Sequence, residues 1–175
     1  MELKDAIALI QHDNFRKAAK QSWADLGCGS GLFTYALASM LPAGSTIYAI
    51  DKDPSILKKI NPVDTVNIKA IQSDFSADNL MLSDLDGILM ANSLHYINDK
   101  AAFIEKVLAY LKPGNSFLII EYDTDKPVST WVPYPISFHS LEKLFAEKGY
   151  SSIRKLHIRP SAFNNGNIYS AIINR

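Results

Sequence analysis

Ala24-Asp25-Leu26-Gly27-Cys28-Gly29-Ser30-Gly31 sets three alternate glycines behind an acidic residue, between one apolar run that ends at Leu26 and another that starts at Leu32. This is the pattern of a strand that turns into a helix. Glycine lets the backbone turn sharply and lets a ligand approach where a Cβ would stand, and a helix starting at Leu32 presents its first amides to the loop. The stretch reads as a nucleotide-cofactor loop, with a tight structural turn as the plainer reading of the same residues.

Outward from this loop the chain alternates strand and helix. Trp23 to Leu26 reads as a strand, and Leu32 to Met40 as a helix closed by Pro42 and Gly44. Thr46 to Asp51 reads as a buried strand, and Pro54 suits the first turn of another helix. Strands are expected at Val66 to Ile71, Gly87 to Ala91 and Phe117 to Glu121, with a helix from Asp99 to Leu111 stopped by Pro113-Gly114. Upstream, Leu3, Ile7, Ile10 and Phe15 recur at helical spacing within Glu2 to Lys20. Downstream, Tyr122 to Ser137 holds three prolines with Trp131 and Tyr134, and reads as a lid or substrate loop. A helix from Phe138 to Lys148, N-capped by Ser137, leads to two strands, Tyr150 to Ile158 and Ile168 to Asn174, joined through Asn164-Asn165-Gly166-Asn167. Apolar rather than alternating strands predict an α/β fold, a doubly wound and mostly parallel sheet covered on both faces.

The composition narrows the function. Residues 1–175 fit one domain by size, with 1–21 as a leading helical segment and 122–137 as the substrate loop. Eighteen Lys and Arg balance eighteen Asp and Glu, so no overall field draws in nucleic acid or an anionic membrane. A small-molecule partner is expected, and nucleic acid is not. Cys28 is the single cysteine, no Cys/His cluster has metal-ligand spacing, and Met1 opens no signal-peptide pattern; the expected location is cytoplasmic and no metal is expected. No apolar run reaches the roughly 18 residues that span a bilayer. Oligomeric state is not readable.

The ends of the expected strands carry the chemistry. Ligands of an open α/β sheet bind at the carboxyl ends of the strands, where the strand order reverses. Here those ends are Asp25 with the glycine loop, then Asp51, then Ser73-Asp74-Phe75, then Asn92-Ser93. A carboxylate at Asp51 can accept two hydrogen bonds from a ribose diol. A dinucleotide fingerprint, G-x-G-x-x-G, needs its third glycine at position 32, which is Leu32. The third glycine is Gly31 instead. A nicotinamide-dependent oxidoreductase therefore fits Asp51 and fails at Leu32.

The D-x-G-x-G-x-G run of Asp25, Gly27, Gly29 and Gly31, with Asp51 and Asp74, resembles the class I S-adenosylmethionine-dependent methyltransferases, of the small-molecule type. The resemblance runs from Trp23 to about Glu121, includes Asp86 at the head of the fourth strand, and extends to the final hairpin. It implies a seven-stranded Rossmann-like sheet with an antiparallel last strand, S-adenosylmethionine as cofactor, and methyl transfer to an O, N, S or C nucleophile. It implies cofactor contacts from Asp25, Gly27, Cys28, Gly29, Gly31, Asp51, Lys52, Asp74, Phe75 and Asn92. Asp25 would help neutralise the ammonium, Asp51 would hold the ribose, and Asp74-Phe75 the adenine.

Methyl transfer is an in-line displacement, so positioning and exclusion of water supply much of its rate. If a base is used, His95 is the first candidate, since it follows the fourth strand and an unperturbed imidazole titrates at about 6.5. Tyr96, Glu121, Tyr122 and Asp123 are further candidates, and Tyr96, Tyr122, Trp131 and Tyr134 are read as substrate-facing. Asn92-Ser93-Leu94-His95 departs from the N-P-P-[YF] motif of many amino-methylating nucleic-acid enzymes. His12, His139 and His157 read as structural or exposed. The rival reading is a non-catalytic S-adenosylmethionine-binding or partner-supporting protein of the same fold.

Overall fold

Asp5 accepts a hydrogen bond from the Glu2 amide at 3.3 Å and so caps the first helix, α1 (Leu3–Ile10), whose Ala6, Leu9 and Ile10 turn inward. The computed structural model describes residues 1–12, 15, 19–127, 131–161 and 166–175. The helix ends at Ile10 rather than running to Lys20, and the backbone leaves it extended at Gln11. Phe15 is nonetheless buried, its ring 5.5 Å from that of Trp23. The apolar spacing thus located a buried residue and overstated the helix.

Strand β1 (Ser22–Leu26) leads into α2 (Leu32–Ala38), then β2 (Thr46–Asp51), α3 (Pro54–Leu57) and β3 (Asn67–Gln72). After it come β4 (Leu85–Ala91), α4 (Lys100–Leu108), β5 (Leu111–Tyr122), α5 (Phe138–Glu147), β6 (Ser152–Pro160) and β7 (Asn167–Asn174). Helix starts follow local chemistry. Asp53 and Asp99 cap α3 and α4 by accepting the amides of Ser55 and Ala102, and Ser137 caps α5 through Ser140. Strand ends differ from expectation by one or two residues in β1, β3, β4, β6 and β7, and by more in β5, which extends back through Pro113-Gly114 to Leu111, where it pairs with Leu85 before a register shift. Of the turn expected between β6 and β7, Asn164 and Asn165 lie outside the described residues.

The sheet order is β3-β2-β1-β4-β5-β7-β6, with β7 antiparallel to both of its neighbours. This is the expected seven-stranded sheet. Both faces are apolar: Phe117, Ile119, Tyr169 and Ala171 meet α4 and α5, while Leu118, Ile120 and Ile172 meet α1 and α2. Alternate side chains point to opposite faces, so burial on both gives continuous apolar runs. The edge strands β3 and β6 are largely exposed, an exception to that rule. Between β1 and β4 the order reverses, and their carboxyl ends open a crevice there.

Candidate active site

The crevice is a cleft of about 470 Å³ at the ends of β1 to β4. It is lined by Gly27, by Asp51 and Lys52 after β2, by Asp74, Phe75 and Ser76 after β3, and by Asn92, Ser93 and Tyr96 after β4. Six of the expected cofactor residues therefore share one space.

The glycine loop is held by its neighbours. The amides of Gly27 and Cys28 both donate to the Ile50 carbonyl, at 2.8 and 3.0 Å, folding the loop over the end of β2. Ser93 donates its hydroxyl to the Leu26 carbonyl at 2.6 Å and ties β4 to β1. A Cβ on Gly27 would stand 2.7 Å from the Ser93 Cβ, with φ at +80°, so this position excludes every other residue. Gly29, at φ +52°, has nothing within 4 Å of the place a Cβ would take. Neither Gly29 nor Gly31 is among the residues that line the cleft. Gly31 stands immediately before α2.

Asp51 is shared between loop and cleft. Its Oδ2 accepts from the Gly29 amide and its Oδ1 from the Asp53 amide, both at 3.0 Å. Asp74 accepts from the Ser76 amide at 3.0 Å, and the Ser76 hydroxyl, with Lys52 adding its charge, holds the Asp74 carboxyl below the usual carboxylate range. Lys106 of α4 donates to the Asp78 carbonyl at 2.5 Å and steadies the turn that carries Phe75. Asn92 takes a left-handed φ of +53° at the end of β4, and its Oδ1 is buried without a partner among the described residues. A buried acceptor without a donor costs about 1–3 kcal/mol, a cost that a ligand's N–H would remove.

Two expected cofactor residues point elsewhere. Asp25 is 1% exposed and lies beneath the loop, where its Oδ2 accepts from Thr34 at 2.6 Å and its Oδ1 has no partner among the described residues. Burial pushes its carboxyl up to about 7 against the pull of the Thr34 hydroxyl, with Asp51 adding repulsion. It is not among the residues that line the cleft. Cys28 packs with Ala49 and Leu57 beneath the loop, and burial raises its thiol far above the ordinary range. At these two positions side-chain direction, invisible in a glycine motif, decides the role. Asp86 is also remote: it accepts from the Ser22 amide and pairs with Lys112 at the amino end of the strand.

Beyond Tyr96 lies the cluster that spacing alone did not assemble. His95 follows β4 in a short 3-10 turn (Leu94–Tyr96) and is buried, its Nδ1 2.8 Å from Oε2 of Glu121. Glu121, fully buried at the end of β5, also accepts the His95 amide through Oε1 at 3.1 Å. Nε2 of His95 is buried and has no partner among the described residues. Tyr96 lies against the imidazole at 4.4 Å between ring centroids, Tyr122 stands at 6.0 Å, and Trp131 meets Tyr122 edge-on at 6.2 Å. Tyr122 is buried, which raises its hydroxyl pKa, with Glu121 and Tyr96 adding to the effect.

The segment after β5 is anchored at three points. Asp123 accepts the Phe138 amide at 2.8 Å, and Asp125 accepts the amide and hydroxyl of Ser137 at 2.9 and 2.7 Å. The Tyr134 amide donates to the His95 carbonyl at 3.0 Å, and Lys100 bridges the carbonyls of Ile97 and Tyr134. Trp131 and Tyr134 are both exposed, Trp131 against Tyr122. Positions 128–130 of the expected loop lie outside the described residues. His139 and His157 are exposed, and His12 is paired with Arg154.

Residues 24–117 match a family model described as a methyltransferase domain. No curated protein matches the chain. Among solved structures, the plantazolicin methyltransferase BpumL in complex with SAH is similar at a TM-score of 0.67 and 15% identity, over 99% of this chain and 83% of that one. A SAM-dependent methyltransferase from Aquifex aeolicus gives 0.66 at 16%, over 99% and 98%. CrArsM, an arsenic (III) S-adenosylmethionine methyltransferase from Chlamydomonas reinhardtii, gives 0.69 at 16%, over 98% and 72%. At such identities the likeness is one of fold. With the glycine loop, the cleft and the strand order in agreement, the chain belongs to the methyltransferase domain family and has the Rossmann-like fold of the S-adenosylmethionine-dependent methyltransferases.

Proposed function

We propose that this chain binds S-adenosylmethionine in the cleft between β1 and β4 and transfers its methyl group to a small-molecule nucleophile. The observation that carries this reading is the Gly29–Asp51 hydrogen bond, which sets the open side of Gly29 next to a carboxylate at the sheet's switch point. The residues present suit the cofactor. Each Asp51 oxygen accepts one backbone N–H and keeps a lone pair for a ribose hydroxyl. Asp74 and Phe75 offer an acceptor and an apolar face to the adenine, with Lys52 at the rim. The partnerless Asn92 Oδ1 is suited to the ammonium of the methionine end. A volume of about 470 Å³ lies within the range of small-molecule clefts.

The cofactor supplies, when bound, a methyl carbon made electrophilic by its sulfonium. The chain's own residues do the rest. The glycine loop and Asp51 fix the donor, Tyr96 and the 131–136 segment cover the mouth and limit water, and the nucleophile enters over β4 and β5. His95 takes the nucleophile's proton where one must leave. A balance of eighteen basic and eighteen acidic residues, with Lys52 the one cation lining the cleft among the described residues, favours a small acceptor over a polyanion. No described helix is long and apolar enough to cross a membrane.

Calorimetric titration with S-adenosylmethionine and its demethylated product tests the binding, and methyl release on a metabolite panel tests the transfer. Tight binding with turnover of one acceptor is the expected result. Binding without any turnover would favour the non-catalytic rival, and a preference for a nicotinamide dinucleotide would refute the reading.

A further inference from the structure

We propose that the cofactor cleft opens into a second pocket that takes an aromatic substituent on the exocyclic nitrogen of the adenine, so that the chain binds adenosyl cofactors enlarged at that atom; the proposal rests on the cofactor reading above. The second pocket, about 400 Å³, lies between the turn after β3 and the first turns of α4. Ser76 and Tyr96 line both spaces, so the two adjoin along these side chains. Phe75 of the cleft meets Phe103 of the pocket edge-on at 5.9 Å between ring centroids, which sets aromatic rings on both sides of the junction.

The walls select the class of guest. Backbone acceptors at the junction are already engaged: Lys106 donates to the carbonyls of Phe75, Ser76 and Asp78, and Lys100 to that of Ile97. The Lys106 ammonium is thereby committed to the turn, and the Asp99 carboxylate lines the same pocket, so the space is ill suited to an anion. Ile97, Ala102, Phe103 and the ring of Tyr96, which is 54% exposed, make the rest of the wall apolar, with Asn98 beside them. A flat hydrocarbon ring fits such walls. The adenine reaches the pocket through its amine. That group carries two N–H bonds, Asp74 needs one of them, and Ser76, two positions on from Asp74, already stands in the second pocket. The remaining hydrogen can be exchanged for carbon, and a ring attached there passes between Ser76 and Tyr96.

The test is calorimetric titration of the full chain with the demethylated cofactor and with its N-benzyl derivative, substituted on the exocyclic nitrogen. The derivative is expected to bind within about tenfold of the parent, or more tightly, and a greater loss overturns the second pocket. The N,N-dimethyl derivative, which offers Asp74 no N–H, should bind more weakly than the N-benzyl one; the reverse order overturns the path past Ser76. Ala102 is exposed on the wall of the second pocket and is not among the residues lining the cleft. Ala102→Trp should lower affinity for the N-benzyl derivative by about tenfold or more and leave that for the parent unchanged. Equal effects on both ligands, or none on either, overturn the proposal. Asn98→Trp, at an exposed position of the same pocket, makes the same comparison if Ala102→Trp fails to fold by thermal melt. Binding of the parent without the N-benzyl derivative leaves the cofactor reading standing, and failure to bind the parent overturns both.

Discussion

Oδ2 of Asp51 accepts the Gly29 amide at 3.0 Å across 22 positions of chain, so the carboxylate that ends β2 shapes the loop that follows β1. Asp51→Ala removes this bond together with the ribose contacts assigned to the same group. With two ribose bonds at about 1.5–3 kcal/mol each to a charged group, affinity for the demethylated cofactor should fall by about a hundredfold or more. Titration calorimetry measures it, and an unchanged Kd would refute the assignment.

Gly27 and Gly29 answer differently to a methyl group. Gly27→Ala combines a left-handed φ with a 2.7 Å approach to Ser93, and should cost about 2 kcal/mol or more of stability. Gly29→Ala meets open space and carries only the backbone strain, about 1–2 kcal/mol, while its methyl faces the loop's open side and, on the function proposed above, weakens cofactor binding. Urea unfolding should rank Gly27→Ala as the less stable variant. The reverse order would count against the close packing of β1 and β4.

Asp25 makes stability depend on pH. Its carboxyl is held at about 7 in the fold against an ordinary 3.8. Between these values the folded state keeps a proton that the unfolded state has lost, so the contribution is full below about 4 and disappears as pH rises through about 7. The loss is on the order of 4 kcal/mol in the ligand-free protein. Asp25→Asn cannot ionise and should flatten that fall. Urea unfolding at pH 5 and pH 8 compares the two, and parallel behaviour of wild type and variant would contradict it.

Lys100 bridges the carbonyls of Ile97 and Tyr134 from the head of α4. Burial lowers its pKa, opposed by Glu121 and Asp125. Lys100→Met keeps the length and removes both bonds, and should expose the 124–136 segment to limited proteolysis while binding of the demethylated cofactor is kept. Equal cleavage rates would show that the Tyr134 amide and the two aspartates hold the segment without it.

The parts of this fold that were legible in the sequence are those set by neighbours along the chain. Thr46–Asp51 keeps its expected bounds because its apolar run is flanked by Gly44 and Pro54. Ser137 caps α5 as its residue type predicts, and Asp51 and Asp74 reach the cleft because both sit at strand ends. What was hidden depends on side-chain direction and on distant pairing. Asp25 and Cys28 occupy motif positions yet turn beneath the loop, since a run buried on both faces has no alternation to tell cleft from core. Leu111 joins β5 only because Leu85 is there to pair with it. Glu121, 26 positions from His95, carried no local signal beyond being a carboxylate in an apolar strand.

Asp123 and Asp125 grip the chain again at Phe138 and Ser137, so the end of β5 fixes where α5 starts. Val132 and Ile136 of the intervening span are buried in the core, which leaves Trp131 and Tyr134 as its large exposed hydrophobic side chains. On the function proposed above, the exposed Trp131 and Tyr134 of that segment meet the acceptor, and exchanging them between chains of this fold is a route to altering what is methylated while the donor site stays untouched.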